Sequence, residues 1–186
     1  MPPSDTVGVA ERLTVVTLIV SGTVVLATAV LNTRLSKVVP PEIAVMLRLV
    51  EEGADAVVGS RYVPGGGTVN WPIHRRLLSK WGNRYTGFVL GMKVRDCTSG
   101  FRAYRATTLR SADPGSTAAE GYAFLTELVR RLAVQGAQVV ETPILFKDRE
   151  AGTSKMSGRI VVESMLLVTR WGLADRWRTL RSRRRR

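Results

Sequence analysis

The stretch PEIAVMLRLVEEGADAVVGSRY, residues 41 to 62, decides the fold class of this sequence. It begins with a proline and an acidic residue, which suit the first turn of a helix, and Gly53 follows the periodic apolar residues as a helix end. Residues 54–62 then form a short valine-rich run, which is typical of a buried strand ending near Ser60. A helix followed closely by a strand indicates an α/β domain.

Arg61 comes directly after this predicted strand. Ligands of α/β sheets lie beyond the carboxyl ends of the strands, and the planar guanidinium fork can bind two phosphate oxygens at once. The residue therefore predicts a phosphate site at the edge of the sheet. A surface arginine in a salt bridge is the alternative, since exposed charges are usually solvated.

A second helix is predicted from Ile73 to Leu90, and its first turns are cationic. Arg75 and Ser79 are four residues apart and share one helix face, so both can contact one ligand. Cations at a helix N-terminus oppose the helix dipole, whereas an anion bound there is favoured. A solvated basic first turn is the alternative, and His74 is interpreted as an ordinary surface or capping residue.

Another predicted strand, residues 137–146, is followed by a cationic loop that contains Arg149 and Lys155. Because this loop also follows a strand, we expect it to reach the same crevice as Arg61. A mobile, charged surface loop is the alternative interpretation.

The stretch DCTSGFRAYR, residues 96–105, is a predicted turn with short strands. Small residues let a ligand approach the backbone, so Asp96, Thr98 and Arg102 are predicted to line a substrate pocket. A packed turn with a structural aspartate cap is the alternative. Cys97 is predicted to be a small core residue and not a nucleophile, because no base is placed for it.

Composition narrows the possible partners. The chain has 186 residues, 45% of them hydrophobic, with a net charge of +13 and a pI of about 11.1. So large an excess of positive charge predicts an anionic partner, which could be nucleic acid, a membrane surface or a phosphorylated substrate. No recognised nucleic-acid motif is present, and nucleic acid is therefore not expected. A single cysteine and a single histidine exclude an intrachain disulfide and a Cys/His zinc site.

Two interpretations remain open for the apolar run of residues 13–31. It has no charge and is close to the roughly 20 residues that a membrane-spanning helix needs. Its many valines and threonines, and the Ser-Gly pair at residues 21–22, fit two buried strands around a turn equally well.

The C-terminal part is predicted to be a long basic helix. Tryptophans and leucines alternate there with arginines, which is typical of a helix at an anionic lipid surface. The predicted organisation is an apolar segment at residues 1–34, an α/β domain at residues 35–157, and a membrane-surface helix with its tail at residues 158–186.

Five motifs taken together resemble those of the dolichol-phosphate and polyprenol-phosphate mannose synthases, which are family 2 glycosyltransferases. They occur in the order and spacing of that family over residues 35–157: GADAVVGSRYVPGGG, NWPIHRRLLSKWGNRY, DCTSGFRAYR, GYAFLTEL and FKDREAGTSKMS. The set is far more specific than any one of the cationic clusters. The resemblance implies the C-terminal part of a GT-A fold, which is Rossmann-like, and hence a truncated GT-A domain with a basic C-terminal helix.

The resemblance also implies an activity, which is transfer of mannose from GDP-mannose to a polyprenyl phosphate at the cytoplasmic face of the plasma membrane. In such a displacement the lipid phosphate attacks the sugar while a divalent metal, Mg²⁺ or Mn²⁺, holds the departing diphosphate. Arg61, Arg75, Ser79 and Arg149 match the family's acceptor-phosphate positions, and Lys155 lies in the adjacent matching loop. A phosphate monoester is already anionic near neutral pH, so it needs orienting donors more than a general base. No residue is assigned as catalytic.

The nucleotide side departs from the family pattern. Its nucleotide-binding motifs do not appear, and Asn32 and Arg34 stand where metal-binding carboxylates are expected. Mg²⁺ and Mn²⁺ prefer carboxylate oxygens, so the metal motif is not intact. Three hypotheses follow: a mannosyltransferase, alone or with a partner chain; a non-catalytic protein that binds polyprenyl phosphate or membrane; and a glycosyltransferase that uses another sugar nucleotide.

Overall fold

The structure is a computed structural model, and it contains the predicted helix–turn–strand unit. Helix α1 spans Pro41–Glu51, and the strand that follows spans Ala56–Ser60 and is buried along its whole length. Between them Gly53 has a φ of 123°, a conformation that favours glycine. The structure describes residues 14–20, 23–29, 41–117, 121–147 and 158–183.

The described strands form two sheets. In chain order they are β1 Thr14–Val20, β2 Thr23–Ala29, β3 Ala56–Ser60, β4 Gly67–Val69, β5 Arg102–Arg105, β6 Val139–Pro143 and β7 Leu145–Lys147. The main sheet has the order β2–β1–β5–β3–β6, and β4 pairs with β7 separately. Strands β3 and β6 are parallel, as are β4 and β7, whereas the other neighbours are antiparallel.

Helices cover both faces of the main sheet. After α1, in chain order, they are α2 Ile73–Leu90, α3 Ala106–Ser111, a short 3₁₀ helix Pro114–Ser116, α4 Gly121–Val134 and α5 Gly158–Arg183. On one face Met46, Leu47 and Val50 of α1 pack on Val57 and Ala103. On the other face α3 and α4 pack on the sheet through Ala56, Tyr104, Leu109, Leu128 and Leu132. The mixed α/β class is confirmed.

The N-terminal segment consists of strands where the structure describes it. Strands β1 and β2 form an antiparallel hairpin, and β1 also pairs with β5, Val15 opposite Tyr104. Of the two interpretations of residues 13–31, the structure therefore has the strands. No helix in the described part of the chain is long and apolar enough to cross a membrane.

One part of the fold was not predicted. This is the small β4–β7 sheet, in which each three-residue strand depends on a partner far away in the sequence. The predicted C-terminal helix is present as α5.

Helix α2 has an unusual distribution of side chains. Its buried residues are all polar, Ser79, Asn83 and Thr86. It packs on α5, where the Tyr85 and Thr169 hydroxyls lie 2.7 Å apart. The most deeply buried face of α2 is therefore polar, whereas Tyr85 and Val89 contact α5.

Candidate functional site

Arg61 is held at the carboxyl end of β3 by a two-pronged ion pair with Asp96. Its Nε donates to Asp96 Oδ2 and its Nη2 to Asp96 Oδ1, each at 2.7 Å, and its backbone N–H donates to Oδ2 at 3.0 Å. Both side chains are buried, at 8% and 0% exposure. The pair fixes the plane of the guanidinium, which is the group predicted to bind phosphate.

The carboxylate of Asp96 is itself fixed by its surroundings. Its Oδ1 accepts a hydrogen bond from the Ser99 backbone N–H at 3.1 Å, as in an aspartate-capped turn. The Asp96 backbone N–H donates to Glu141 Oε1 at 3.0 Å, and that of Arg95 donates to Glu141 Oε2 at 2.9 Å. Glu141 lies in β6, so the turn is tied to the edge strand that runs parallel to β3.

Aromatic rings surround the Arg61 guanidinium. Its Cζ lies 5.3 Å from the ring centres of Tyr62 and Trp71 and 5.8 Å from that of Phe146. The Trp71 and Phe146 rings meet edge to face at 5.5 Å. Contacts of this kind stabilise a guanidinium and orient it without neutralising its charge.

Arg75 shares one of these rings with Arg61. Its Cζ lies 4.2 Å from the centre of the Trp71 ring, so the same indole contacts both guanidinium groups. The structure thus brings together two of the cations predicted to bind phosphate. Asp96 balances the charge of Arg61, and Arg75 adds a further positive charge beside this pair, which favours an anion at this edge of the sheet.

Ser79, the third predicted phosphate ligand, is buried one turn further along α2. Its Oγ accepts a hydrogen bond from the Tyr62 hydroxyl at 2.6 Å. Burial raises the pKa of the Tyr62 phenol, while the Ser79 hydrogen bond and the Arg61 charge oppose the shift. The phenol therefore stays protonated near neutral pH and remains a hydrogen-bond donor.

Asn83 links α2 to the turn that contains Asp96, a role that was not predicted from the sequence. Its Nδ2 donates to the Ser79 carbonyl at 2.9 Å and to Thr98 Oγ1 at 3.2 Å, and its Oδ1 accepts from the Cys97 backbone N–H at 2.7 Å. Thr98 Oγ1 also accepts from Arg61 Nη2 at 2.8 Å. Arg61 and Arg75 are here called the arginine cluster. The Asn83 amide links α2, which carries Arg75, to Thr98, which contacts Arg61. An asparagine inside a predicted helix carries no signal that would reveal this role.

Arg102 lies behind the turn and is fully buried. Its guanidinium donates to the backbone carbonyls of Ser99 at 2.6 Å and of Leu125 at 2.7 Å, and also to that of Cys97. These contacts join the turn to α4. Its assignment to a substrate pocket stays a prediction, as do those of Asp96 and Thr98, which the structure places beside Arg61.

Two predicted phosphate ligands, Arg149 and Lys155, lie outside the described residues. The parallel pairing of β3 with β6 does bring the start of their loop to the predicted edge, since Phe146 contacts Arg61. Of the residues not assigned to binding, His74 is exposed in the first turn of α2. Cys97 is buried, and this burial raises the pKa of its thiol to about 12.

An apolar groove between α2, α4 and α5 opens next to the arginine cluster. Its apolar lining includes Leu78, Trp81, Val161, Met165 and Val168. Polar residues also line it: Ser79, Asn83, Thr86, Thr98, Thr126 and Ser164. The groove reaches the predicted phosphate ligands at Thr98, which contacts Arg61.

The family resemblance implies a divalent metal, which would need several carboxylate or other ligand side chains close together. Among the side chains that the structure describes, no group of three or more His, Cys, Asp and Glu is placed to hold a metal ion. The positions where the metal motif was expected, Asn32 and Arg34, lie outside the described residues.

The fold and the cluster define a mixed α/β domain with a pair of guanidinium groups fixed at the carboxyl edge of its sheet. Comparison with known proteins gives a more specific result. The chain is 51% identical to the undecaprenyl-phosphate mannosyltransferase of Micrococcus luteus over 130 residues, which are 70% of this chain and 54% of that protein. It is 45% identical to the polyprenol monophosphomannose synthase of Mycolicibacterium smegmatis over 137 residues, 74% of this chain and 52% of that protein.

A more distant relative is the dolichol-phosphate mannosyltransferase of Pyrococcus furiosus, 33% identical over 135 residues, which are 70% of this chain and 37% of that protein. No protein-family model matches the chain. The chain belongs to the family of polyprenol-phosphate and dolichol-phosphate mannosyltransferases. It spans about half the length of the first two of these relatives.

Proposed function

We propose that the chain binds the phosphate of a polyprenyl phosphate and serves in the transfer of mannose to that phosphate from GDP-mannose. The observation that carries the proposal is the fixed position of Arg61 beside Arg75 at the sheet edge, in a chain whose relatives are named for this acceptor. The GT-A type of fold is part of the same proposal.

In the proposed reaction, a phosphate oxygen of the lipid forms a bond to the anomeric carbon of mannose. The bond from that carbon to the diphosphate breaks, and GDP leaves with the electron pair. Arg61 and Arg75 would hold the attacking phosphate in line, which is a large part of catalysis by positioning. The Ser79 hydroxyl would add a hydrogen bond, and Arg149 and Lys155 would complete the cluster.

The groove beside the cluster suggests where the lipid chain starts. Its apolar residues could hold the first isoprene units while the phosphate meets Arg61, because Thr98, which contacts Arg61, lines the groove. Mg²⁺ or Mn²⁺ at the departing diphosphate remains a proposal from the family, and so does the donor site as a whole. The requirement for a metal is tested by omitting it and adding a chelator.

Transfer of labelled mannose from GDP-mannose to polyprenyl phosphate tests the proposal. Arg75→Ala and Arg61→Lys are expected to lower transfer at least about tenfold, because the first removes a positive charge beside the phosphate and the second replaces the guanidinium that Asp96 holds in a fixed orientation. Arg110→Ala is the matched control, since Arg110 is an exposed arginine on α3. Equal loss in the control, or no loss in either variant, would contradict the proposal.

A second candidate is binding of polyprenyl phosphate without transfer. It is favoured by the position of the predicted acceptor ligands, three of which lie among the described residues, whereas no donor site has been assigned. Binding measured without GDP-mannose separates the two. Binding that depends on Arg75, in folded protein that transfers no mannose with either metal, would favour this candidate. Transfer would exclude it, and competition by other sugar nucleotides would identify a different donor.

We also propose that an anionic membrane surface, at the cytoplasmic face of the plasma membrane, is a partner of α5. Leu173, Trp177 and Leu180 are exposed on this helix, and the Arg181 guanidinium lies 5.3 Å from the Trp177 ring centre. Apolar and cationic side chains on one helix are typical of binding at a lipid interface. The expected outcome is binding to anionic vesicles but not to neutral ones.

A further inference from the structure

Trp71 lies between the two residues of the arginine cluster without being one of the predicted phosphate ligands. Its ring centre lies 5.3 Å from the Arg61 Cζ and 4.2 Å from the Arg75 Cζ, and the second of these is the shortest distance between a guanidinium and a ring among the described residues. The two Cζ atoms therefore cannot be further apart than these two distances combined. The indole thus limits the separation of two positive charges that would otherwise repel each other.

The indole is held in place by the chain on both sides of it. Pro72 follows Trp71 directly and is the N-cap residue of α2, and a residue before proline is restricted to extended conformations. On the other side of Trp71, β4 pairs with β7 so that Thr68 lies opposite Phe146. The Phe146 ring meets the indole edge to face at 5.5 Å. The small β4–β7 sheet therefore supports the position of the indole independently of any ligand.

The two arginines depend on this ring to different degrees. Arg61 is already oriented by its two-pronged ion pair with Asp96. Arg75 lies in the first turn of α2, and a long arginine side chain loses rotamer freedom when it is held over a ring. If that freedom is lost before the phosphate binds, less of it has to be lost on binding. Loss of the ring is therefore expected to act mainly through Arg75.

We propose that Trp71 is a positioning residue, which holds the Arg75 guanidinium close to that of Arg61 and so prepares both for one phosphate group. The inference rests on the proposed function, in which the two arginines bind the phosphate of a polyprenyl phosphate. The indole N–H is buried and has no hydrogen-bond partner among the described residues, so the described contacts of Trp71 are made by its ring. A phenylalanine is therefore expected to replace it in part, whereas a leucine offers no aromatic face.

The position of Arg75 can be measured without any ligand. Aromatic ring currents displace the signals of nearby protons, so the Arg75 Nε–H signal in a heteronuclear NMR spectrum is expected to be displaced in the wild type and in Trp71→Phe. In Trp71→Leu it is expected to move to the position of a mobile arginine. The Arg75→Ala variant assigns the signal. An Arg75 signal that is the same in the wild type and in Trp71→Leu would overturn the proposal.

Binding of farnesyl phosphate, a short polyprenyl phosphate, tests the consequence. Titration calorimetry is expected to give a dissociation constant at least about tenfold higher for Trp71→Leu and less than about threefold higher for Trp71→Phe. Trp171→Leu is the matched control, because Trp171 is also half-buried and its ring centre lies 5.6 Å from the Arg130 Cζ. The control is expected to bind like the wild type. Equal weakening in Trp71→Leu and in the control would overturn the proposal.

A combined variant separates positioning from a merely structural role. If Trp71 acts through Arg75, adding Trp71→Leu to Arg75→Ala is expected to weaken binding less than about twofold further, because residues that act through one contact are not additive. A further tenfold loss in the double variant would contradict the proposal. Circular dichroism checks that each variant is folded. In the transfer assay, Trp71→Leu is expected to raise the apparent KM for polyprenyl phosphate and to leave that for GDP-mannose unchanged.

Failure of this proposal differs from failure of the proposed function. Wild-type protein that does not bind farnesyl phosphate would contradict the proposed function. An Arg75 signal that does not depend on Trp71, in protein that does bind farnesyl phosphate, would contradict the positioning role alone.

Discussion

At the scale of single residues, Arg61 combines structural and functional demands. Its ion pair with Asp96 is buried and two-pronged, so it stabilises the position of the turn as well as the orientation of the guanidinium. A buried ion pair contributes little net stability compared with apolar residues of similar size, but removing one partner leaves a buried charge without compensation. Stability measurements therefore have to accompany any activity measurement on Arg61.

Arg61→Ala is expected to lower the free energy of unfolding by about 3–5 kcal/mol, because the Asp96 carboxylate would stay buried without its guanidinium. Urea unfolding followed by circular dichroism measures this. The double variant Arg61→Leu with Asp96→Leu is expected to lose less than Arg61→Ala alone. A double variant that is less stable than the single one would contradict this account of the pair.

Asn83 shows what could not be predicted at this scale. Arg61, Arg75 and Ser79 were identified because a family motif and the charge pattern both pointed to them. The importance of Asn83 follows from two hydrogen bonds to the turn that contains Asp96, one to Thr98 Oγ1 and one from the Cys97 backbone N–H. Such contacts exist only once the chain has folded. The same holds for Glu141, which supports the Asp96 turn from β6.

At the scale of secondary-structure elements, local sequence patterns predicted single helices and strands, but they did not predict which strands pair. The bounds of β3 and of α2 follow from the valine run and from the glycine after the helix, Gly91, which has a φ of 64°. The pairing of β4 with β7 could not be predicted, since it depends on geometry between segments that are far apart in sequence. Whether residues 13–31 form a membrane-spanning helix or two strands was likewise undecided, because their length and composition supported both.

The contact between α5 and α2 depends on a glycine. A methyl group at Gly172 would lie 2.6 Å from Val89 Cγ1 and 2.7 Å from the Val89 carbonyl oxygen, and the second of these cannot move without moving α2. Gly172→Ala is therefore expected to destabilise the protein by about 1–3 kcal/mol, as overpacked substitutions do. The midpoint of thermal or urea unfolding measures the change.

Gly82→Ala is the matched control within α2. No atom lies within 4 Å of a methyl group built there, and the residue is in the helix interior. Alanine is then expected to stabilise the protein by about 0.5–1 kcal/mol, because it restricts the unfolded chain more than glycine does. If both substitutions had the same sign, the close contact between the two helices would not be the cause.

At the scale of the whole molecule, the net charge of +13 gives the protein a long-range preference for anionic surfaces. The exposed apolar side chains of α2 and α5 do not respond to salt in the same way as the arginines, since screening acts on charges. Binding to anionic vesicles is therefore expected to weaken as salt rises, and Arg178→Gln with Arg181→Gln is expected to weaken it further at low salt. Sedimentation with vesicles measures this, and neutral vesicles serve as the control. Binding that is the same for both lipids would contradict the electrostatic contribution.

The polar inner face of α2 also affects how this helix opens locally. When α2 separates from the domain, Ser79, Asn83 and Thr86 become hydrated, and apolar side chains that line the groove, such as Met165 and Val168 of α5, become exposed with them. Urea acts in proportion to newly exposed surface and is therefore expected to favour this opening. Exchange of the α2 backbone amides with solvent deuterium measures the opening, and slower exchange is expected in β3, which is buried along its whole length.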